Sequence, residues 1–366
     1  MSGMDVPAVL ARAASRPLAL SRAERAALLS LDGDGEVRAL FDAARSVKAA
    51  VFGPGVALRG LIEAGNVCAK DCLYCGIRRS NGGVARYRLG ADEIVRLAEG
   101  AAAQGYASLV IQSGEIESDE QTCMVEEVLR RIAPLNLGVT LSLGEQDEAV
   151  YRRWREAGAA RYLLRIETSS EALYRRLHPA GHSWERRVEC LRALRRCGYQ
   201  VGTGVMCGLP GQTAEDLADD IGFFADMDVD MIGMGPFIPH PGTPLAGEPL
   251  DAGARLLLGL KLIAVTRLHL HDVNIAAATA LQALAPDGRE RGVLAGANVV
   301  MPNVTDAAHR RLYQLYANKP CLDESSDRCK GCLERRLASI GETVLHGLRG
   351  DSLHYRRRTA GEGAGQ

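Results

Sequence analysis

Two hydrophobic periods alternate along most of this chain. From about residue 56 onward, apolar runs of strand length stand at 56–63, 107–112, 138–143, 161–166, 200–207, 230–234, 273–278 and 297–301. Between them, 91–104, 119–132, 147–156, 184–197, 214–227 and 254–270 repeat apolar residues every three or four positions, as a helix with one buried face does. Strands that alternate with helices build parallel sheets. Eight strands, most followed by a helix, predict the α/β class and a (β/α)8 TIM-type barrel. An open doubly wound sheet is the alternative, but no GxGxxG opens the first helix.

Residues 1–55 read as an N-terminal helical extension, with Ser21 and Glu24 spaced as a capping box. The barrel is expected over 56–318, a cysteine-bearing C-terminal segment with a closing helix over 319–348, and a tail, disordered at its end, over 349–366. Polar and glycine-rich stretches follow the strands at 113–115, 167–168, 208–213, 236–244 and 301–303. In a parallel barrel these positions converge on the C-terminal rim, where barrel active sites lie.

Composition narrows the class further. The formal net charge of −1 over 366 residues leaves no electrostatic footprint for nucleic acid or an anionic membrane. With no apolar signal core and no segment long enough to span a bilayer, a cytoplasmic protein with reduced thiols is expected. Six of the ten cysteines fall into two tight groups, a metal-binding pattern. Cys123, Cys190, Cys197 and Cys207 stand singly and read as small buried hydrophobes.

The first group is Cys68, Cys72 and Cys75, a CX3CX2C spacing with Tyr74 before the last cysteine. A 4Fe–4S cluster usually takes four thiolates, so three leave one iron open for chemistry. The amino and carboxylate groups of S-adenosylmethionine can chelate that iron. A zinc knuckle would want a fourth ligand nearby, and the nearest downstream candidates are Cys123 and His178.

These features resemble the radical-SAM superfamily and, within it, the HydE-type maturases of FeFe-hydrogenase. The similar stretches are 66–81, 111–115, 140–145, 162–168, 208–213, 235–245 and 296–303. The resemblance implies a 4Fe–4S cluster on the three cysteines and S-adenosylmethionine as cofactor. It implies that Glu115 receives the methionine ammonium, with a solvated turn as the alternative. Ser142 is assigned to the cofactor, as is Tyr74 within the cysteine loop. Glu167 can accept two hydrogen bonds from a ribose diol while also pairing with Arg165. Arg187 offers a bidentate fork for the methionine carboxylate, with the adjacent Arg186 as the competing choice. His178 and His240 read as structural residues of rim loops.

The second group, Cys321, Cys329 and Cys332, has a CX7CX2C spacing that suits iron–sulfur or zinc with a borrowed ligand. Resemblance tilts it towards a second iron–sulfur cluster, 2Fe–2S or 4Fe–4S. Its position after the last strand places it at the periphery. The implied activity is assembly of the H-cluster of FeFe-hydrogenase. The implied partners are a small-molecule or organometallic substrate, a flavodoxin or ferredoxin electron donor, and other hydrogenase maturases. A methylornithine synthase-type mutase, a biotin synthase-type sulfur-insertion enzyme and a non-catalytic iron–sulfur carrier remain as alternatives.

Overall fold

The computed structural model describes residues 4–323 and 326–362, the side chains of 326–329 and 361–362 excepted. Three helices lead in: α1 (Val6–Ser15), α2 (Arg22–Leu29) and α3 (Asp34–Phe52). The Ser21 capping box forms, with the Ser21 amide donating to Glu24 Oε2 at 2.8 Å.

The strands follow as β1 (Gly55–Leu58), β2 (Gly60–Gly65), β3 (Ser108–Ser113), β4 (Gly138–Ser142), β5 (Ala159–Leu163) and β6 (Gln200–Thr203). Then come β7 (Met206–Cys207), β8 (Met231–Ile232), β9 (Gly235–Pro236), β10 (Asn274–Ile275), β11 (Val299–Val300) and β12 (Thr343–Val344). Seven of them form one parallel sheet in the order β10-β8-β6-β5-β4-β3-β2. The ring closes through β11. Its Val299 bridges Ala276 beyond β10 on one side and pairs with Ala57 of β1 on the other. The Ala277 amide donates to the Val299 carbonyl at 2.9 Å, and the Leu61 amide to the Pro302 carbonyl at 2.7 Å. Only Arg59 separates β1 from β2, so the two act as one stave. Eight staves therefore complete the expected barrel. The apolar run 200–207 divides into β6 and β7, and β7 pairs with β9 beyond the main ring.

The outer helices are α4 (Ala91–Ala103), α5 (Asp119–Ile132), α6 (Glu148–Glu156), α7 (Glu171–Leu177), α8 (Trp184–Arg196) and α9 (Ala214–Asp226). They continue with α10 (Ala252–His269), α11 (Thr279–Leu284), α12 (Gly288–Leu294), α13 (Ala307–Leu312), α14 (Ser326–Ser339) and α15 (Leu353–Glu362). α10 is buried along most of its length, because α1, α2 and α3 all pack on the face that would otherwise meet water. That is the physical task of the N-terminal extension: it removes apolar surface of α10 from solvent.

The expected tail is folded as far as it is described, and its end, 363–366, lies outside the described residues. Residues 349–352 plug the N-terminal end of the barrel, and α15 continues to Glu362. Arg161, on β5 and without solvent exposure, donates to the Arg349 carbonyl at 2.8 Å and ion-pairs with Asp351. Asn274 and Arg59 both donate to the Gly350 carbonyl, at 2.9 and 3.1 Å. The barrel floor exposes polar groups that need partners, and this polar segment supplies them.

The lone cysteines also divide. Cys190 and Cys207 are buried as expected, whereas Cys197 is half-buried and Cys123 is exposed on α5. Among the described residues no helix is long and apolar enough to cross a membrane.

Candidate active site

The cysteine loop leaves β2 at the C-terminal rim and folds around two residues that carry no chemistry of their own. Buried Asn66 donates to the Ala85 and Leu312 carbonyls at 2.8 Å each and accepts from the Tyr87 amide at 2.8 Å. Arg86 donates to the carbonyls of Asn66, Ile77 and Arg78 at 2.6–2.8 Å. Backbone groups that would otherwise be orphaned are thereby satisfied, and the loop is held in one shape.

Cys68, Cys72 and Cys75 all line one cavity of about 330 Å³ in the barrel mouth. Burial pushes each thiol up: Cys68 above its ordinary value, Cys72 to about 12, and Cys75 well above the usual range. A buried neutral thiol ionises when a cationic metal centre offsets the lost hydration. The Glu115 amide also donates to Cys68 Sγ at 3.3 Å, the sort of contact that tunes cluster sulfurs. Gly114 permits this approach, since a Cβ there would stand 2.3 Å from the Val67 carbonyl oxygen. Among the described residues no three His, Cys, Asp or Glu lie close enough to hold a single ion. A cubane asks less, because each of its irons takes one thiolate. The donor set fits such a group.

Beside the cysteines stands a balanced group of four charges drawn from four segments. Lys70 Nζ lies 3.1 Å from Glu115 Oε1 and 3.0 Å from Glu145 Oε2. Arg187 Nε lies 2.5 Å from Glu145 Oε1, and its Nη2 lies 3.5 Å from Glu115 Oε2. Burial raises the Glu115 carboxyl above its ordinary range, and Arg187 and Lys70 only partly offset this. For Glu145 burial acts in the same direction, but Arg187 and Lys70 outweigh it and hold the carboxyl below the usual range. Burial would lower Arg187, yet Glu145 and Glu115 keep it firmly protonated. Gly144 (φ 88°) lets the group close, since a Cβ there would lie 2.1 Å from Glu115 Cγ. Glu145 and Lys70 were not singled out from the sequence. Their signal was present, in a carboxylate just past β4 and a lysine inside the cysteine loop.

Of the two candidate arginines, Arg187 is buried against the cavity, while Arg186 is exposed and pairs with Asp147 at 2.7 Å. Ser142 ends β4 and lines the cavity. Glu167 lines it too, just beyond β5, with the left-handed φ of 68°. Arg165 grips its carboxylate with two bonds of 2.9 Å. Tyr74 donates to His178 Nε2 at 3.1 Å. That direction follows because His178 Nδ1 lies 2.8 Å from the Tyr174 carbonyl and must carry the proton. Burial drives His178 down to about 3, so it is neutral and serves as a support for Tyr74.

The second cysteine group differs from expectation. Cys321 lines the same cavity as the first group, because the chain crosses back over the mouth after α13. Lys319 on this crossing reaches Glu63 Oε1 on β2 at 2.5 Å and the Tyr313 carbonyl at 2.7 Å. Cys321 therefore is not peripheral. Cys332 is half-buried on α14, and the Cys329 side chain lies outside the described residues.

Comparison with known proteins agrees with this geometry. The model of the Radical SAM superfamily matches residues 62–224. The [FeFe] hydrogenase maturase subunit HydE of Thermotoga maritima is 44% identical over 313 residues, 86% of this chain and 88% of that protein. The 3-methylornithine synthase of Methanosarcina acetivorans is 30% identical over 283 residues, 77% of this chain and 79% of that one. A crystal structure of methylornithine synthase superposes with a TM-score of 0.80 at 27% identity, covering 96% of this chain and 99% of that one. The maturase HydG from Carboxydothermus hydrogenoformans shares the fold at a TM-score of 0.80 and 18% identity, covering 97% of this chain and 81% of that one. With three cysteines opening into the barrel mouth and these matches along most of its length, the chain belongs to the radical SAM superfamily, whose enzymes work with a 4Fe–4S cluster and S-adenosylmethionine.

Proposed function

We propose that this enzyme acts in the maturation of FeFe-hydrogenase. The observation that carries the reading is the 44% identity to the HydE maturase of Thermotoga maritima across 88% of that protein. When bound, the cluster and cofactor supply one-electron cleavage of the sulfonium C–S bond, giving methionine and a 5′-deoxyadenosyl radical. Cys68, Cys72 and Cys75 hold the cluster in this reading. The paired charges of Lys70, Arg187, Glu115 and Glu145 receive the methionine end, cations facing its carboxylate and carboxylates its ammonium. Glu167 accepts from the ribose diol, held still by Arg165. Ser142 and Tyr74 complete the nucleoside side. The electron comes from a ferredoxin or flavodoxin, and the other maturases supply and take up the small-molecule or organometallic substrate. Cys321, Cys329 and Cys332 hold a second iron–sulfur cluster.

Complementation of a hydrogenase-producing host that lacks its own HydE tests the reading, with deoxyadenosine formation measured in parallel on reconstituted protein. Restored hydrogenase activity is expected, and it should vanish together with deoxyadenosine in each of Cys68→Ala, Cys72→Ala and Cys75→Ala. Iron retained in the Cys72→Ala protein and lost on adding Cys321→Ser would report the second cluster. Failure to complement by protein that still cleaves cofactor, with lysine converted to methylornithine, would refute the maturase reading in favour of the second relative's chemistry.

A further inference from the structure

Glu167 occupies a backbone conformation that side chains disfavour, and something must hold it there. Part of the hold is in front, within the cavity wall. The Glu167 amide donates to the Gly204 carbonyl and the Met206 amide to the Glu167 carbonyl, both at 3.0 Å. The rest comes from behind, from a residue that touches neither the cavity nor the cysteines.

We propose that Asp220, on α9, is a positioning residue that fixes the 167–169 turn and thereby sets how tightly Glu167 engages the nucleoside end of the cofactor. Asp220 has no solvent exposure. Its Oδ1 accepts from the Ser169 amide at 2.5 Å and from the Ser169 hydroxyl at 2.7 Å. The Thr168 hydroxyl approaches the same oxygen at 3.5 Å and also accepts from the Ser170 amide at 3.2 Å. The two residues immediately after Glu167 are thus anchored through one carboxylate oxygen.

A buried acid is an expensive way to dock a helix. α9 already buries Leu217, Ala218, Ile221 and Phe224, which suffice to seat it. Asp220 Oδ2 has no partner among the described residues, and burial pushes the carboxyl up to about 7 despite the Ser169 bonds. The group therefore costs stability where it stands. The return is a fixed turn under a strained residue, the pattern by which strain at functional sites is maintained. The inference rests on the assignment of Glu167 to the cofactor.

The experiment titrates S-adenosylmethionine into cluster-loaded protein and follows the EPR signal of the reduced cluster. Glu167→Ala and Asp220→Ala should each weaken binding about tenfold, one decade being about 1.4 kcal/mol. Asp220→Asn keeps the accepting oxygen and should stay within about threefold of the parent. The double variant Glu167→Ala/Asp220→Ala should bind no worse than Glu167→Ala alone, since both act through one contact. The turnover of Asp220→Ala at saturating cofactor should match the parent. Should Asp220→Ala fold poorly, Thr168→Val/Ser169→Ala strips the hydroxyl donors while leaving Asp220 in place, and about threefold weaker binding is expected. An unchanged affinity in Glu167→Ala would defeat the assignment of that residue, and the premise with it. If Glu167→Ala weakens binding while Asp220→Ala and the hydroxyl variant do not, the positioning role alone falls. Multiplicative losses in the double variant, or an Asn variant as weak as the Ala variant, overturn it as well.

Discussion

Removing Arg187 should damage the apoprotein before any cofactor is considered. Its side chain is 9% exposed, between Glu115 at 8% and Glu145 at 7%, with Lys70 at 16%. The four charges sum to zero. Arg187→Ala leaves two buried carboxylates sharing one lysine, and breaking a buried pair from one side costs about 3–5 kcal/mol. Unfolding entropy of about 2.1 cal/mol/K per residue over 366 residues makes that a fall of about 4–7 °C in Tm. Glu115 is already raised and would take up a proton to relieve the imbalance. Its folded pKa then stands above its unfolded value, so the native state binds more protons and stability falls as pH rises. The deficit should therefore grow as pH rises above the ordinary carboxylate range. Calorimetry of cluster-free parent, Arg187→Ala, Glu145→Gln and the double variant measures this. The double variant restores neutrality and should melt above Arg187→Ala. Arg186→Ala, an exposed neighbour, should change stability by no more than about 0.5 kcal/mol. A Tm shift below about 1 °C for Arg187→Ala, or simple additivity in the double variant, would refute the coupled cluster.

Two further outcomes concern the barrel floor. Arg161→Ala removes a buried ion pair and the carbonyl bond to Arg349, and should cost about 3 kcal/mol and expose 349–352 to proteolysis; unchanged protection would mean the plug is held elsewhere. His354 bridges Asp228 at 2.6 Å and Asp272 at 3.2 Å, and its bond to Asp272, with Asp228 adding to it, raises the imidazole above 6.5. A raised folded pKa gives stability that is complete below pH 6.5 and lost as pH rises through the folded value. The urea midpoint of the parent should accordingly fall from pH 6 towards pH 9, and His354→Gln should flatten that part of the profile.

The sequence by itself determined what depends on near neighbours. Cys68, Cys72 and Cys75 lie within eight positions, so their spacing alone brings three thiols to one loop and specifies the chemistry they can support. Strand and helix periods need only a window of a dozen residues, and so the order of staves was legible, as was the side of the barrel that carries the loops. Ser142 and Glu167 stand at strand exits that the topology dictates, whereas Arg187, on α8, was singled out through the family resemblance. What tertiary structure decided were contacts between segments far apart in the chain. The charge balance of Lys70, Glu115, Glu145 and Arg187 joins four segments, and no period encodes which buried charge meets which. The return of Lys319 and Cys321 over the mouth depends on where α13 ends in space, not on residue type. Residues 349–352 look like a tail because they are polar. They are polar because the barrel floor presents Arg59, Arg161, Gln200 and Asn274, whose buried donors and acceptors only a polar plug can satisfy.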